Sequence, residues 1–260
     1  MKKQCAVYVA TALIAVWSSA QAGYRPFVFN YDAYLMPKGN IELEQGVTYR
    51  GHTRDDRNFK NFEFTEEIEY GVADNIRLGL YVPTWSYERS TDRQSVQFDE
   101  VSAELILNLA NPVTAPFGAA LYFEAGGGQH TLGFESKLIL HKDVGPWTAI
   151  YNLTVDTDVE GVGDVSQQNS VMGVLGHALG VSYGITPVWR LGAEALAEST
   201  YENWSGYDGT AAYVGPSVSY QGGEIFKSHS TWWFTLTPTV QLTHRAEPDY
   251  LARVLVGVSL

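Results

Sequence analysis

The feature that most constrains this chain is an alternation of apolar and polar residues that repeats along most of its length. Residues 62–70, for example, put Phe64 and Ile68 on one face and three glutamates on the other. A period of two residues is typical of β-strands that have one apolar and one polar face. Twelve segments show the alternation, and residues 169–183 show it least regularly. The segments are 39–50, 62–70, 76–82, 101–109, 117–125, 131–141, 147–156, 169–183, 188–198, 211–220, 231–242 and 250–260.

These strands are predicted to form an all-β fold, a closed antiparallel transmembrane β-barrel, rather than a soluble sandwich. One face of each strand is almost wholly apolar, whereas the other carries Glu, Arg, Thr, Asn and many of the 25 glycines. No apolar run reaches the roughly 20 residues that a transmembrane helix needs. Strands in lipid must close on themselves, because an open sheet edge would leave backbone groups unpaired. We predict about twelve strands, with ten or fourteen as alternatives.

The connections between the strands are predicted to alternate between short and long. Outer-membrane barrels show this asymmetry, with short periplasmic turns and longer outer loops. The short set is 71–75, 110–116, 142–146 and 184–187, and the long set is 51–61, 86–97, 157–168 and 199–209. Two connections depart from the rule, because 126–131 is short on the outer side and 221–230 is long on the inner side.

The composition narrows the classes of function. The chain has 17 Lys and Arg against 29 Asp and Glu, a formal charge of −12, which argues against nucleic-acid binding because that needs a cationic face. A single Cys excludes a disulfide scaffold and a thiolate metal site. The six His show no ligand spacing. We therefore predict no cofactor and no metal site.

The first segment, residues 1–22, is predicted to be a cleaved signal peptide. Lys2 and Lys3 precede an apolar stretch that ends at Trp17, and a small-x-small pattern then ends at Ala22. This order of a basic start, an apolar stretch and small residues is typical of export signals. Cleavage would remove two cations and leave the chain still more acidic.

Residues 23–38 are predicted to be a periplasmic N-terminal segment that precedes a barrel spanning 39–260. We expect the segment to rest at the inner rim or to lie irregularly before the first strand. A plug that turns up into the barrel mouth is the alternative, because the segment is rich in aromatic residues. These are Tyr24, Phe27, Phe29, Tyr31 and Tyr34.

The predicted inward face carries an excess of carboxylates. A ring of carboxylates in a pore favours cations, so we predict a narrow, cation-preferring lumen. The alternative is a lumen closed by Glu–Arg pairs and tyrosines, since twelve strands lie between filled eight-stranded and open sixteen-stranded barrels. The acidic set is Glu42, Glu44, Glu63, Glu67, Glu69, Glu104, Glu124, Glu135, Glu194 and Glu198, and the basic set is Arg50, Arg77, Lys137 and Arg190.

Aromatic residues at the strand ends are predicted to form girdles at two lipid–water interfaces. They are Tyr49, Trp85 and Tyr250 at outer ends, and Tyr70, Trp147, Tyr183, Trp189 and Trp232 at inner ends.

The last strand places Val254, Val256, Val258 and Leu260 on one face. It resembles the C-terminal strand that the barrel-assembly machinery of bacteria reads, although such strands usually finish with Phe.

A family resemblance lies in the sequence Met36-Pro37-Lys38-Gly39, followed by Glu42-Leu43-Glu44-Gln45. These residues resemble the N-terminal region of a proteobacterial outer-membrane family of unknown function. Residues 69–80 and 180–192 are similar to outer-membrane transporters of the meta-pathway phenol-degradation type. The resemblance implies a barrel and a transport role, and it implies no catalytic residue.

We therefore predict a bacterial outer-membrane barrel, in contact with lipid, that forms a transporter-like channel for small cationic or neutral solutes. The alternative is a closed barrel with a structural or partner-binding role. A hydrolase is the least favoured reading. Adjacent residues on a strand point to opposite faces, so His229 and Ser230, which also lie on the predicted inner turn, cannot form the hydrogen bond that a hydrolase needs. A protease would need carboxylate and His pairs at the outer rim, which Asp55 and Asp56 could form with His52, His244 or Asp208.

Overall fold

The computed structural model describes residues 24–34, 36–164, 168–225 and 230–260. The predicted signal peptide, residues 1–22, lies outside the described residues. Twelve strands form one closed barrel, so the predicted fold class and strand number are confirmed. The strands are β1 (Ile41–Gly51), β2 (Lys60–Ala73), β3 (Ile76–Arg89), β4 (Gln94–Ala110), β5 (Gly118–Gly127), β6 (Thr131–Val144), β7 (Trp147–Glu160), β8 (Ser170–Gly184), β9 (Trp189–Glu202), β10 (Gly206–Ile225), β11 (Ser230–Gln241) and β12 (Tyr250–Ser259).

The barrel is an up-and-down meander in which every strand pairs antiparallel with its neighbour in sequence. The first and last strands close it, with a continuous register from Glu42 opposite Ser259 to Gly51 opposite Tyr250. We call the end where β1 begins and β12 ends the terminal end, and the opposite end the far end. The described residues contain no helix long and apolar enough to cross a membrane.

Several strands run further than the alternation predicted. β3 continues to Arg89 and β4 begins at Gln94, so the predicted long loop 86–97 is mostly strand. The same holds for 199–209, where only 203–205 separates β9 from β10. The predicted long inner turn 221–230 is also too long, because β10 continues to Ile225. The loop asymmetry is therefore weaker than predicted.

The two faces of the wall differ in the way the alternation predicted. On β3, Leu78 and Leu80 point outward and are 45% and 44% exposed, whereas Arg77 and Tyr81 point inward and are buried. Outward apolar side chains of this kind recur on all sides of the barrel. An apolar belt of this extent is far larger than soluble monomers expose, and lipid is the medium that would cover it.

The core of the molecule lies inside the barrel. The chain that precedes β1 does not stay at the rim but enters the lumen, where Phe27, Val28, Asn30 and Ala33 are each 0% exposed. We call residues 24–34 and 36 the lumen segment. Its placement differs from the rim position that the sequence favoured and agrees with the alternative of a plug.

Candidate functional site

The lumen segment has an irregular backbone whose polar groups are bound by the barrel wall. Glu194 on β9 is the central anchor. Its carboxylate accepts hydrogen bonds from the backbone N–H groups of Val28 (3.1 Å) and Phe29 (2.9 Å) and from Asn30 Nδ2 (3.0 Å). Thr237 donates a further bond at 2.6 Å. A buried backbone that forms no sheet needs such partners, because an unpaired buried N–H is costly.

Two asparagines of the wall bind the next part of the segment. Asn152 on β7 accepts from Tyr31 N at 2.7 Å and donates to Tyr31 O at 2.9 Å, so one amide satisfies both backbone groups. Asn108 on β4 donates to the carbonyl of Ala33 at 3.0 Å. Asn152 and Asn108 are both buried in the terminal half of the lumen. The wall is therefore complementary to this stretch of backbone.

Apolar and aromatic contacts fill the space between these polar anchors. Phe27 lies directly against Gly180 on β8, where an added Cβ would stand 2.7 Å from the Phe27 ring carbons. Tyr24 packs edge-on against Trp233, with ring centroids 6.4 Å apart. Arg25 lies over the ring of Tyr31, with its guanidinium carbon 4.1 Å from the ring centroid. These contacts pack the lumen segment against the described wall of the terminal half.

The far half of the lumen contains cavities instead. Three neighbouring cavities have volumes of about 380, 220 and 160 Å³. Seven carboxylates and three cationic side chains line the largest of them. The carboxylates are Glu63, Asp99, Glu100, Glu124, Glu135, Asp156 and Asp158, and the cations are Arg50, Lys137 and Arg253. The far half is thus a water-accessible space with an acidic excess.

All ten predicted acidic residues point inward, but the structure divides them between two levels. Glu42, Glu44, Glu67, Glu69, Glu104 and Glu194 are buried in the terminal half. Glu63, Glu124, Glu135 and Glu198 line the cavities of the far half. The ring that the sequence predicted is therefore two separate groups, and the second group borders the cavities described above.

The predicted basic residues are also distributed over both levels. Arg50 pairs with Glu63 at 2.9 Å and Lys137 pairs with Glu135, both beside the largest cavity. Arg77 is buried and pairs with Glu69 at 3.2 Å. Arg190 lies apart from the cavities, at the terminal end, where it donates to Pro146 O and Thr148 Oγ1.

Two cationic side chains inside the barrel, Arg253 and Arg25, were not predicted from the sequence. Arg253 on β12 lines all three cavities. The alternation of β12 could have found it, since an outward Val254 implies an inward Arg253. Arg25 in the lumen segment pairs with Glu44 at 3.2 Å, and both side chains are 3% exposed. No strand pattern covers Arg25, because its backbone is irregular.

The predicted girdle residues lie on the outward face, where several stack in pairs. Tyr49 packs on Phe62, and Trp85 stacks on Phe64 with ring centroids 4.1 Å apart. Trp147 contacts Tyr183 at the terminal end. Tyr70, Trp189 and Tyr250 are exposed, and Trp232 is half-buried.

Val254, Val256 and Val258 also lie outward on β12, followed by an exposed Leu260. That these residues meet lipid interfaces or the assembly machinery stays a prediction.

Two of the catalytic candidates at the rim, Asp56 and His52, have other described partners. Asp56 accepts from the backbone N–H and hydroxyl of Thr91, which ties the β1–β2 loop to the β3–β4 loop. Those backbone and hydroxyl donors hold the pKa of Asp56 below its usual range. His52 packs edge-on against Tyr250. His229 lies outside the described residues.

Comparisons with known proteins agree with this architecture. A family model described as Family of unknown function (DUF6662) matches residues 19–247, and no curated protein matches the chain. The COG4313 outer membrane channel from Pseudomonas putida F1 is 15% identical, with 91% of this chain and 98% of that chain covered and a TM-score of 0.52. A NanC porin structure is 10% identical, with 85% and 98% covered and a TM-score of 0.50. The sequence resemblance to a barrel family of unknown function is confirmed, and at these identities the structures show a shared fold alone.

Proposed function

We propose that this chain, which belongs to the Family of unknown function (DUF6662), is an outer-membrane channel closed by its own N-terminal segment. Its channel would favour small cations over anions and would admit small neutral solutes. One observation carries the proposal: the lumen segment fills the terminal half of a barrel whose far half holds acidic cavities. The exposed apolar belt, the barrel fold and the predicted export signal support a place in the outer membrane.

The far half supplies the selectivity in this proposal. Carboxylates outnumber cationic groups seven to three around the largest cavity. Arg50 and Lys137 are each engaged by a neighbouring glutamate, which leaves unbalanced acids such as Glu100 and Asp158. A confined acidic space concentrates cations and repels anions, because its low-dielectric walls focus the field.

The lumen segment supplies the closure. It is held by separate polar anchors such as Glu194, Asn152 and Asn108 rather than by a strand ladder. Such anchors can be released one after another, whereas extraction of a strand would break the barrel. We propose that displacement of the segment joins the far-half cavities to the terminal end.

Paired glutamate variants on β9 test this proposal. Glu194→Ala removes the acceptor of three hydrogen bonds from the lumen segment, whereas Glu198→Gln changes an inward glutamate that forms no hydrogen bond to the described residues of that segment. The measurement is planar-bilayer conductance of the refolded full chain, with reversal potentials in a salt gradient. We expect the parent and Glu198→Gln to stay mostly closed and Glu194→Ala to open far more often, with cation preference.

Three results would contradict the proposal. A parent channel that conducts freely would show that the segment does not close it. Anion preference in Glu194→Ala would contradict the role of the acidic cavities. No conductance in any of the three proteins would favour the alternative, a closed barrel with a structural or partner-binding role.

A further inference from the structure

A second acidic cluster, separate from the cavities, lies in the wall of the terminal half. Its five carboxylates come from β1, β2 and β4, and they are each at most 6% exposed. Among the residues that the structure describes, two guanidinium groups are paired with them, so the buried acids outnumber their paired cations. The carboxylates are Glu42, Glu44, Glu67, Glu69 and Glu104, and the guanidiniums are Arg25 and Arg77.

Three of these carboxylates converge on one point. Glu67, Glu69 and Glu104 each bring an oxygen within 4.8 Å of the other two. They come from β2 and β4, which flank β3, and the intervening residue is Gly79, opposite both Glu69 and Glu104 in register. A Cβ at Gly79 would stand 2.4 Å from Glu104 Cγ and 2.7 Å from Glu67 Oε1. The absence of a side chain there is what lets the three carboxylates meet across a strand.

Most of the oxygens at this point lack protein donors. Among the described residues, no group donates a hydrogen bond to Glu67 Oε1, Glu104 Oε1 or Glu69 Oε1, and Glu69 Oε2 has only its ion pair with Arg77 at 3.2 Å. Glu44, which is opposite Glu67 in the β1–β2 register, also has one buried oxygen without a donor. Glu42 differs, because Trp233 and Ser259 donate to it at 2.5 and 2.8 Å. Buried carboxylates without donors are stabilised either by protonation or by a bound cation, and three that converge on one point favour a shared cation.

We propose that Glu67, Glu69 and Glu104 bind one divalent cation of the hard, oxygen-preferring class, with Ca²⁺ as the best fit. Ca²⁺ takes oxygen ligands at roughly 2.3–2.6 Å, so two ligand oxygens can stand up to about 5 Å apart around it. Mg²⁺ bonds of about 2.0–2.1 Å would require the three carboxylates to draw closer. Bound Ca²⁺ offsets most of the unpaired negative charge of the cluster. This site lies in the wall, goes beyond the proposed function and does not depend on conduction.

The test uses the refolded full chain, stripped with EDTA and titrated with CaCl₂ in a calorimeter. Glu67→Gln and Glu104→Gln each remove one charged ligand, and Gly79→Ala fills the space without changing any charge. Glu198→Gln is the control, because it removes one inward carboxylate of the far half. We expect one tight site in the parent and the control, and a loss of at least about tenfold in affinity in the three site variants. Calcium should also raise the melting temperature of the parent and the control only.

A second measurement needs no variant. Tyr81 donates to Glu104 at 3.5 Å, close enough to sensitise the emission of Tb³⁺ bound in place of Ca²⁺. We expect sensitised terbium emission from the parent that CaCl₂ abolishes. Absence of both calcium uptake and terbium emission in the parent would overturn the proposal. A tight site that persists in the folded Glu67→Gln and Glu104→Gln proteins would overturn it as well.

Discussion

Glu194 illustrates how one buried carboxylate can hold an irregular backbone inside a barrel. It is 1% exposed, and its partners are two backbone N–H groups, Asn30 and Thr237. Hydrogen bonds to a charged group contribute about 1.5–3 kcal/mol each, so an ionised Glu194 would contribute strongly to holding the lumen segment in place. The alternation of β9 predicted that Glu194 points inward, but its partners could not be predicted, because they lie far away in sequence on a segment without periodicity.

Gly180 provides a test of how tightly the lumen segment packs on the barrel wall. Gly180→Ala should push the Phe27 ring, because the new Cβ would stand 2.7 Å from it. Overpacking of this kind costs about 1–3 kcal/mol, and we expect that loss in the free energy of unfolding, measured by urea titration. Gly176→Ala on the same strand is the control, because its Cβ would stand 3.1 Å from Thr154 Cβ, a milder approach, and Phe27 is not among the atoms nearest to it. Equal stability of the two variants would show that Phe27 does not press on the wall.

The strands were predicted more closely than their connections, and the reason is physical. Between lipid and lumen a strand must alternate, so the membrane part of β3 and β4 was visible in the sequence. Beyond the lipid, both faces of these strands meet water and the alternation fades. Residues 86–97 therefore read as a loop, although β3 and β4 pair up to Arg89 opposite Gln94.

A contact between two loops at the far end, formed by Asp56 and Thr91, can also be tested. Asp56 accepts from Thr91 N at 2.6 Å and Thr91 Oγ1 at 2.8 Å, so it joins two loops. These bonds lower the pKa of Asp56. Their contribution to the stability of the folded loops is therefore fully present above the ordinary pKa of an Asp and is lost as the pH falls through the lowered pKa. We expect the Thr91 amide resonance in NMR spectra to follow that titration. It should shift at neutral pH in Asp56→Ala but not in Asp55→Ala, and an unchanged resonance in Asp56→Ala would contradict the contact.

The whole molecule combines a barrel that the sequence specifies with a lumen that it specifies only in part. The count of twelve strands and the inward acidic face follow from a local period of two residues. The division of that face into a terminal half that packs on the lumen segment and an acidic far half does not, because it depends on where residues 24–34 and 36 lie. Asn108, Asn152 and Glu194 form the binding site for that segment only after the strands have closed into a barrel.

In the proposed function, the lumen segment closes an otherwise conducting barrel. The single-channel conductance of a protein in which residues 24–34 are replaced by a glycine–serine stretch of equal length tests this closure most directly. Such a stretch keeps the chain connected but lacks the aromatic side chains and Arg25. We predict steady, cation-selective conductance from this protein and a mostly closed parent. A replacement protein that folds as a barrel and conducts no more than the parent would contradict the proposed closure.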